Sequence, residues 1–247
     1  MTDDQLWRGV RPDARKRVQV RNYSSPALED RLPAEGLEAG AALGSQRALE
    51  EAGVWIPGVD LIARHVHPQR HRGLFSELGR EGEGRLGEIG LWPKQWSAAK
   101  MFAGSAKGFH LHPPHIPEND SPAAWFARLF GAEDNFALRP YGREQWDVMF
   151  FLQGRLDLIL CDEREGMPRR QMRLFIEGDD RRGPNNVAVV IPPGVAHALR
   201  AEGSEDLLMV YGTSTTFLPQ VEGRIASETE MLPMPPEWAD YLGSASR

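Results

Sequence analysis

The side chains in this sequence best suited to chemistry are its histidines, and they are grouped. Of the seven, His65, His67 and His71 form one group, His110, His112 and His115 a second, and His197 stands alone. In Gly108-Phe109-His110-Leu111-His112 two imidazoles lie two residues apart. On a β-strand, residues i and i+2 point to the same side, so His110 and His112 can present two ring nitrogens to one ion. In Pro192-Pro193-Gly194-Val195-Ala196-His197 a proline-glycine turn brings His197 in from a different strand. His65, His67 and His71 lie on or near a strand leading into Arg72, and read as polar surface or subunit-interface residues rather than a second metal site.

The elements that must position these residues are short strands. The chain has 247 residues, and Gly 25 with Pro 19 make about 18% of it, above the ~12% of average usage. Such a turn-rich chain favours strands joined by tight connections over a helical bundle. Leu156, Leu158 and Leu160 alternate with Asp157, Ile159 and Cys161, mostly apolar on both faces, as in a covered strand. Residues 187–191 and 207–211 are apolar runs of strand length. Residues 1–53 are polar and broken, with a helix expected over 45–53 and at most one short strand, over 17–21. Ser121-Pro122 opens a helix running to Gly131, where Trp125 and Leu129, and Phe126 and Phe130, are spaced four apart. That helix reads as packed on the surface; lying between two candidate site strands, it could also cover the site mouth.

Composition excludes several classes. A hydrophobic fraction of 41% with 26% charged residues supports a folded core. The net charge of −6 argues against a nucleic-acid partner. No apolar run approaches the ~18 residues of a membrane span. The charged N-terminus lacks a secretory apolar region. A lone Cys161 excludes an intramolecular disulfide framework. The expectation is a cytoplasmic protein.

The His-x-His and Pro-x-Gly-x-x-His pair resembles the two motifs of the cupin superfamily, which implies an all-β jelly roll. Cupin metal sites add a carboxylate seven residues before the glycine that ends the next strand, which implies Asp147, ahead of Gly154. The resemblance thus implies a metal site of His110, His112, Asp147 and His197, with Glu118 and His115 as fallback ligands. Three histidines and a carboxylate suit a divalent transition metal with open positions: Fe, Mn, Ni, Co or Zn.

Within the cupins, residues 54–225 resemble the dTDP-4-dehydrorhamnose 3,5-epimerase (RmlC-like) family. The motifs are Ile56-Pro-Gly-Val59, Arg72-Gly-Leu-Phe75-Ser-Glu77, Lys107-Gly-Phe-His110, Gln153-Gly154 through Asp162-Glu-Arg164, residues 191–197, and Tyr211 to Pro219, all in order. The resemblance implies an N-terminal extension over 1–53, a cupin domain over 54–225 with a helical insertion at 113–143, a tail over 226–247, and a homodimer. It implies that Arg72 contacts a nucleotide phosphate, Phe75 and Glu77 hold the base, His110 abstracts a proton and Tyr211 is the opposing acid.

The departures run in one direction. His112 stands where the family has glutamine, and Asp147 where it has a lysine that stabilises the enolate. Lys107 replaces an arginine, a point charge in place of a bidentate fork. Phe217 replaces a second pocket tyrosine, and the late aspartate that pairs with the family's histidine has no counterpart by sequence. Loss of a cation and gain of two ligands imply that a metal has replaced the lysine. His110 would then be a ligand, and Tyr211 would move the proton. The function expected is a metal-assisted epimerase or isomerase of a keto-sugar, free or nucleotide-linked. A metal-dependent cupin dioxygenase and a non-catalytic sugar-binding cupin are the alternatives. Trp92, Trp96 and Trp146 flank the site strands and read as core aromatics before sugar platforms.

Overall fold

The computed structural model describes residues 3–20, 46–130 and 144–225. In chain order the strands are β1 (Val18–Val20), β2 (Asp60–Ala63), β3 (Val66–Pro68), β4 (Leu74–Ser76), β5 (Gln95–Met101), β6 (Ala106–Leu111) and β7 (Asp147–Gln153). They continue with β8 (Arg155–Asp162), β9 (Gln171–Glu177), β10 (Val187–Ile191), β11 (Val195–Glu202), β12 (Leu207–Thr213) and β13 (Gly223–Ile225). Two antiparallel sheets result, one ordered β1-β13-β6-β11-β8-β9 and the other β2-β10-β7-β12-β5. From β5 to β12 the chain changes sheet at every step except β8 to β9. This leaves β6-β11-β8-β9 facing β10-β7-β12-β5, the strand pattern of an eight-stranded jelly roll. The all-β expectation holds, and among the described residues most glycines and prolines sit in the connections.

Strand alternation fills three apolar layers. Met149, Phe151, Leu156, Leu158, Leu160, Val189, Leu199 and Met209 pack between the sheets. On the outer face of the β7 sheet, Val148 and Phe150 meet Leu86, Ile89 and Leu91. On the outer face of the β6 sheet, Phe109, Leu111 and Cys161 meet Trp7, Val10 and Ala14. Covered outer faces are the reason these strands read as apolar on both sides.

The described part of the N-terminal segment is built into the jelly roll. β1 pairs with β13, and Val10 bridges Arg164. The Arg8 guanidinium donates to the Pro117 and Asp120 carbonyls. A helix over Gln46–Glu51 buries Leu49 as its only buried residue. The helix Pro122–Phe130 has its Ser121 cap, which accepts from the Ala124 N–H at 3.2 Å. Phe126 is buried, and Phe130 lies against Trp146 and the Arg164 guanidinium. The helix therefore packs outside the sandwich. The end of the expected insertion and the 226–247 tail lie outside the described residues. No described helix is long and apolar enough to cross a membrane.

β3 and β4 form a separate two-stranded hairpin. At its root, Arg64 makes a two-pronged ion pair with Asp179 at 3.1 and 2.9 Å, and both side chains are nearly inaccessible. Asn186 donates a further hydrogen bond to the same carboxylate at 3.1 Å. Burial alone would raise the Asp179 pKa, but hydrogen bonds from Arg64, Ser76 and Asn186 hold it below its ordinary value.

Candidate active site

A cleft of about 600 Å³, counting its open mouth, lies between the sheets at the end where the histidines meet. Strand parity decides who lines it. On β6, Ala106, Phe109 and Leu111 face the outer layer, while Lys107 and His110 line the cleft. Regular alternation cannot put residues three apart on one face. The pairing with β11 slips between His197↔His110 and Leu199↔Lys107, so Gly108 and Phe109 together oppose Ala198, a β-bulge. Gly108 has φ +121°, and a Cβ there would stand 2.6 Å from the His197 carbonyl oxygen. The bulge brings the Lys107 ammonium into the cleft, 5.8 Å from the centroid of the Tyr211 ring.

The other groups arrive by ordinary register. His197 on β11 sits opposite His110. From the facing sheet, Asp147 opens β7 opposite Thr213, and Tyr211 on β12 lies opposite Met149. Glu222 immediately precedes β13, whose Gly223 pairs with Leu111, so its carboxylate reaches His110 on β6 and His112 just beyond the strand's end.

His110 and Glu222 are in close contact in the cleft: Nδ1 of His110 lies 2.7 Å from Oε1 of Glu222, and both residues are buried. Nε2 of His110 is buried with no hydrogen-bond partner among the described residues. Burial pushes the His110 pKa down to about 3, against the opposing pull of Glu222, which leaves a neutral ring at physiological pH. For Glu222, burial works upward, yet the charge of His112 and the contact with His110 prevail and hold its carboxyl at about 2.

Around Asp147 there is a second arrangement. Nε2 of His112 lies 3.3 Å and Nε2 of His197 3.5 Å from Oδ2 of Asp147. The donor atoms of these three buried residues all fall within 4.8 Å of one another. The Gln145 amide nitrogen donates to Oδ1 of Asp147 at 2.9 Å and lies 3.1 Å from Nε2 of His112. Burial disfavours a charged His112, but Asp147 and Glu222 together outweigh it and push its pKa up to about 9. His197 stays low, mainly because it is buried. The carboxyl of Asp147 is held below its ordinary value, with burial opposed by both imidazoles and Gln145.

Of the residues singled out by sequence, Lys107, His110, His112, Asp147, His197 and Tyr211 all line this cleft. His110 stands apart from the His112–Asp147–His197 trio. Arg72, Phe75 and Glu77 lie elsewhere, on or beside the exposed β3–β4 hairpin. Glu77 pairs there with Arg80, and Phe75 stacks on His67. His115 and Glu118 are exposed, and Trp92, Trp96 and Trp146 do not line the cleft. Sequence reasoning missed Glu222 and Gln145. Gln145 carried a signal, since it stands two residues before Asp147 and so shares its side. Glu222 carried none beyond being an acid ahead of a three-residue strand.

No family model matches the sequence. Among curated proteins, the spore coat polysaccharide biosynthesis protein SpsL of Bacillus subtilis (strain 168) is 28% identical over 149 residues, which cover 60% of this chain and 74% of that protein. Among solved structures, the rmlC epimerase of Mycobacterium tuberculosis is 20% identical, with a TM-score of 0.49 over 73% of this chain and 77% of that one. ChmJ, a 3'-monoepimerase from Streptomyces bikiniensis solved with dTDP-quinovose, is also 20% identical, with a TM-score of 0.49 over 75% of this chain and 87% of its own.

Proposed function

We propose that the protein is an epimerase of a nucleotide-linked keto-sugar. The observation that carries this reading is the buried His110–Glu222 pair. Its free Nε2 belongs to a neutral imidazole in a cleft that Tyr211 lines from the opposite sheet. Nε2 of His110 takes the proton from a carbon next to the sugar carbonyl, and the C–H electron pair moves into the carbonyl as an enolate. Glu222 fixes the ring tautomer and stabilises the imidazolium that forms. Return of a proton from the Tyr211 phenol to the other face of the carbon inverts the centre as the enolate electron pair returns to carbon; His110 then releases its proton to solvent and the Tyr211 phenolate takes one up. No electrons are gained or lost overall. The ordered motif resemblance from Ile56 to Pro219 supports this chemistry, and the similarity to a polysaccharide biosynthesis protein agrees with a sugar substrate.

We extend the proposal to a homodimer. Leu74 and Phe75 are 43% and 51% exposed on a hairpin that also bears Glu77 and, in its turn, Arg72. An apolar tip of this kind is suited to docking on a second copy. There Arg72 would meet a phosphate, and Phe75 with Glu77 the base. The test is product analysis on a panel of dTDP-linked 4-keto-6-deoxy sugars, followed by nuclear magnetic resonance. An inverted centre beside the carbonyl is expected from the native protein and not from Tyr211→Phe. A panel returned unchanged would remove the reading.

A further inference from the structure

We infer that Lys107 is a positioning residue acting through Tyr211: its ammonium, turned onto the Tyr211 ring by the β-bulge in β6, sustains the phenolate left when Tyr211 gives up its proton. The inference deepens the epimerase reading and rests on it for the reaction; the contact between the two side chains rests only on the geometry of their strands.

Two observations carry it. The first is placement. Alternation counted back from His110 would turn Lys107 to the outer layer, beside Phe109. The bulge reverses this, and Lys107 pairs with Leu199, which lines the same cleft. The reversal uses a glycine at φ +121°, where a Cβ would stand 2.6 Å from the His197 carbonyl oxygen. The ammonium then lies 5.8 Å from the Tyr211 ring centroid, inside the ~6 Å reach of a cation over an aromatic ring.

The second is the company Tyr211 keeps. The titratable and charged groups lining the cleft with it are Lys107 and His110 on β6, His112 just beyond, Asp147 on β7, His197 on β11, and Glu222 ahead of β13. From β5 comes only the neutral Gln95. Lys107 is the one lysine or arginine among the described lining residues. Both carboxylates are engaged elsewhere, Asp147 with Gln145 and two imidazoles, Glu222 with His110. Met149, Leu199 and Met209 make the rest of the lining apolar, so a charge contact there is screened less than in water.

A cation over a neutral phenol ring gains only a modest quadrupole attraction. When the O–H bond breaks and its proton goes to the substrate carbon, the bonding pair stays on oxygen and spreads into the ring. The ammonium then faces a full negative charge. An interaction that strengthens as the proton leaves is the kind that speeds the step. Lys107 transfers no proton itself; solvent restores the phenol.

The test is a pH titration of full-length protein, isotope-labelled at tyrosine Cζ, by nuclear magnetic resonance. The chain has four tyrosines, and loss of one signal in Tyr211→Phe assigns Tyr211. In the native protein Tyr211 should ionise below the ordinary tyrosine value of about 10. Lys107→Met keeps the stem without the charge, and should move the midpoint up by about 1–2 pH units. Lys107→Gln serves as the neutral variant if Lys107→Met does not fold, and Lys107→Arg should stay close to native. A native midpoint at or above the ordinary value, an unmoved midpoint in a folded neutral variant, or Lys107→Arg as high as Lys107→Met would each overturn the inference. With a keto-sugar substrate, the alkaline limb of kcat should move with the midpoint. The two readings fail separately. A shifted midpoint with no keto-sugar turnover removes the epimerase and keeps the pair; turnover with an unshifted midpoint removes the pair and keeps the epimerase.

Discussion

The two histidine groups have the same residue type and opposite surroundings. His65, His67 and His71 stand exposed on and beside the β3–β4 hairpin, with no carboxylate held against their rings among the described contacts. His110, His112 and His197 are buried between two sheets, each within 3.5 Å of a carboxylate oxygen or a backbone carbonyl. Spacings of two and four residues place the first group near one another in sequence, yet only the second shares a wall. Shared parity, burial and fixed acceptors turn imidazoles into a site, and their number in the sequence does not. The hairpin in turn is held to the jelly roll by Arg64 and Asp179 at its root.

The largest effect that separates the two regions belongs to Glu222. Glu222→Gln keeps the shape but removes the charge that stabilises a protonated His110. The expected loss is about 10²–10⁴-fold in turnover number, measured by steady-state kinetics with the melting temperature as a control for folding. Next comes the root of the hairpin. Asp179→Asn leaves the Arg64 charge buried and unpaired, at a cost of about 3–5 kcal/mol of stability, read by chemical denaturation. Because the folded Asp179 pKa is depressed, its contribution is complete above the unfolded value near 3.9. It is lost as pH falls through the lower folded value, so acid should destabilise the native protein more than Asp179→Asn. The smallest of the three is Gly108→Ala. A side chain at φ +121° against the His197 carbonyl costs about 1–3 kcal/mol and disturbs the bulge that aims Lys107, so stability and turnover should fall together. Loss of neither would show that the bulge is not what positions Lys107.

Much of the fold was legible. Alternation in β8, the apolar runs of β10 and β12, and the Ser121 cap each follow from local sequence, and the motif order carried the jelly roll. In the site, His110, His112 and His197 could be read from a two-residue spacing and a turn, and Asp147 only from the cupin resemblance. What could not be read depends on contacts between distant strands. Lys107 shares a face with His110 only because β6 carries an extra residue opposite Ala198, and alternation alone predicts the reverse. Glu222 reaches His110 only because β13 pairs with β6 across 112 residues of chain. The assignment of Arg72, Phe75 and Glu77 came from motif resemblance, and within one chain they do not reach the cleft. Their place in the account depends on a second copy.

The central claim is that His110 moves a proton at carbon, and wash-in of solvent deuterium tests it most directly. A dTDP-linked 4-keto-6-deoxy sugar in D₂O is followed by nuclear magnetic resonance with the native protein, His110→Gln and His65→Gln beside the hairpin. Deuterium should enter beside the carbonyl with the native protein and equally with the hairpin variant, while His110→Gln leaves the carbon protonated. Undiminished wash-in by folded His110→Gln would contradict the account.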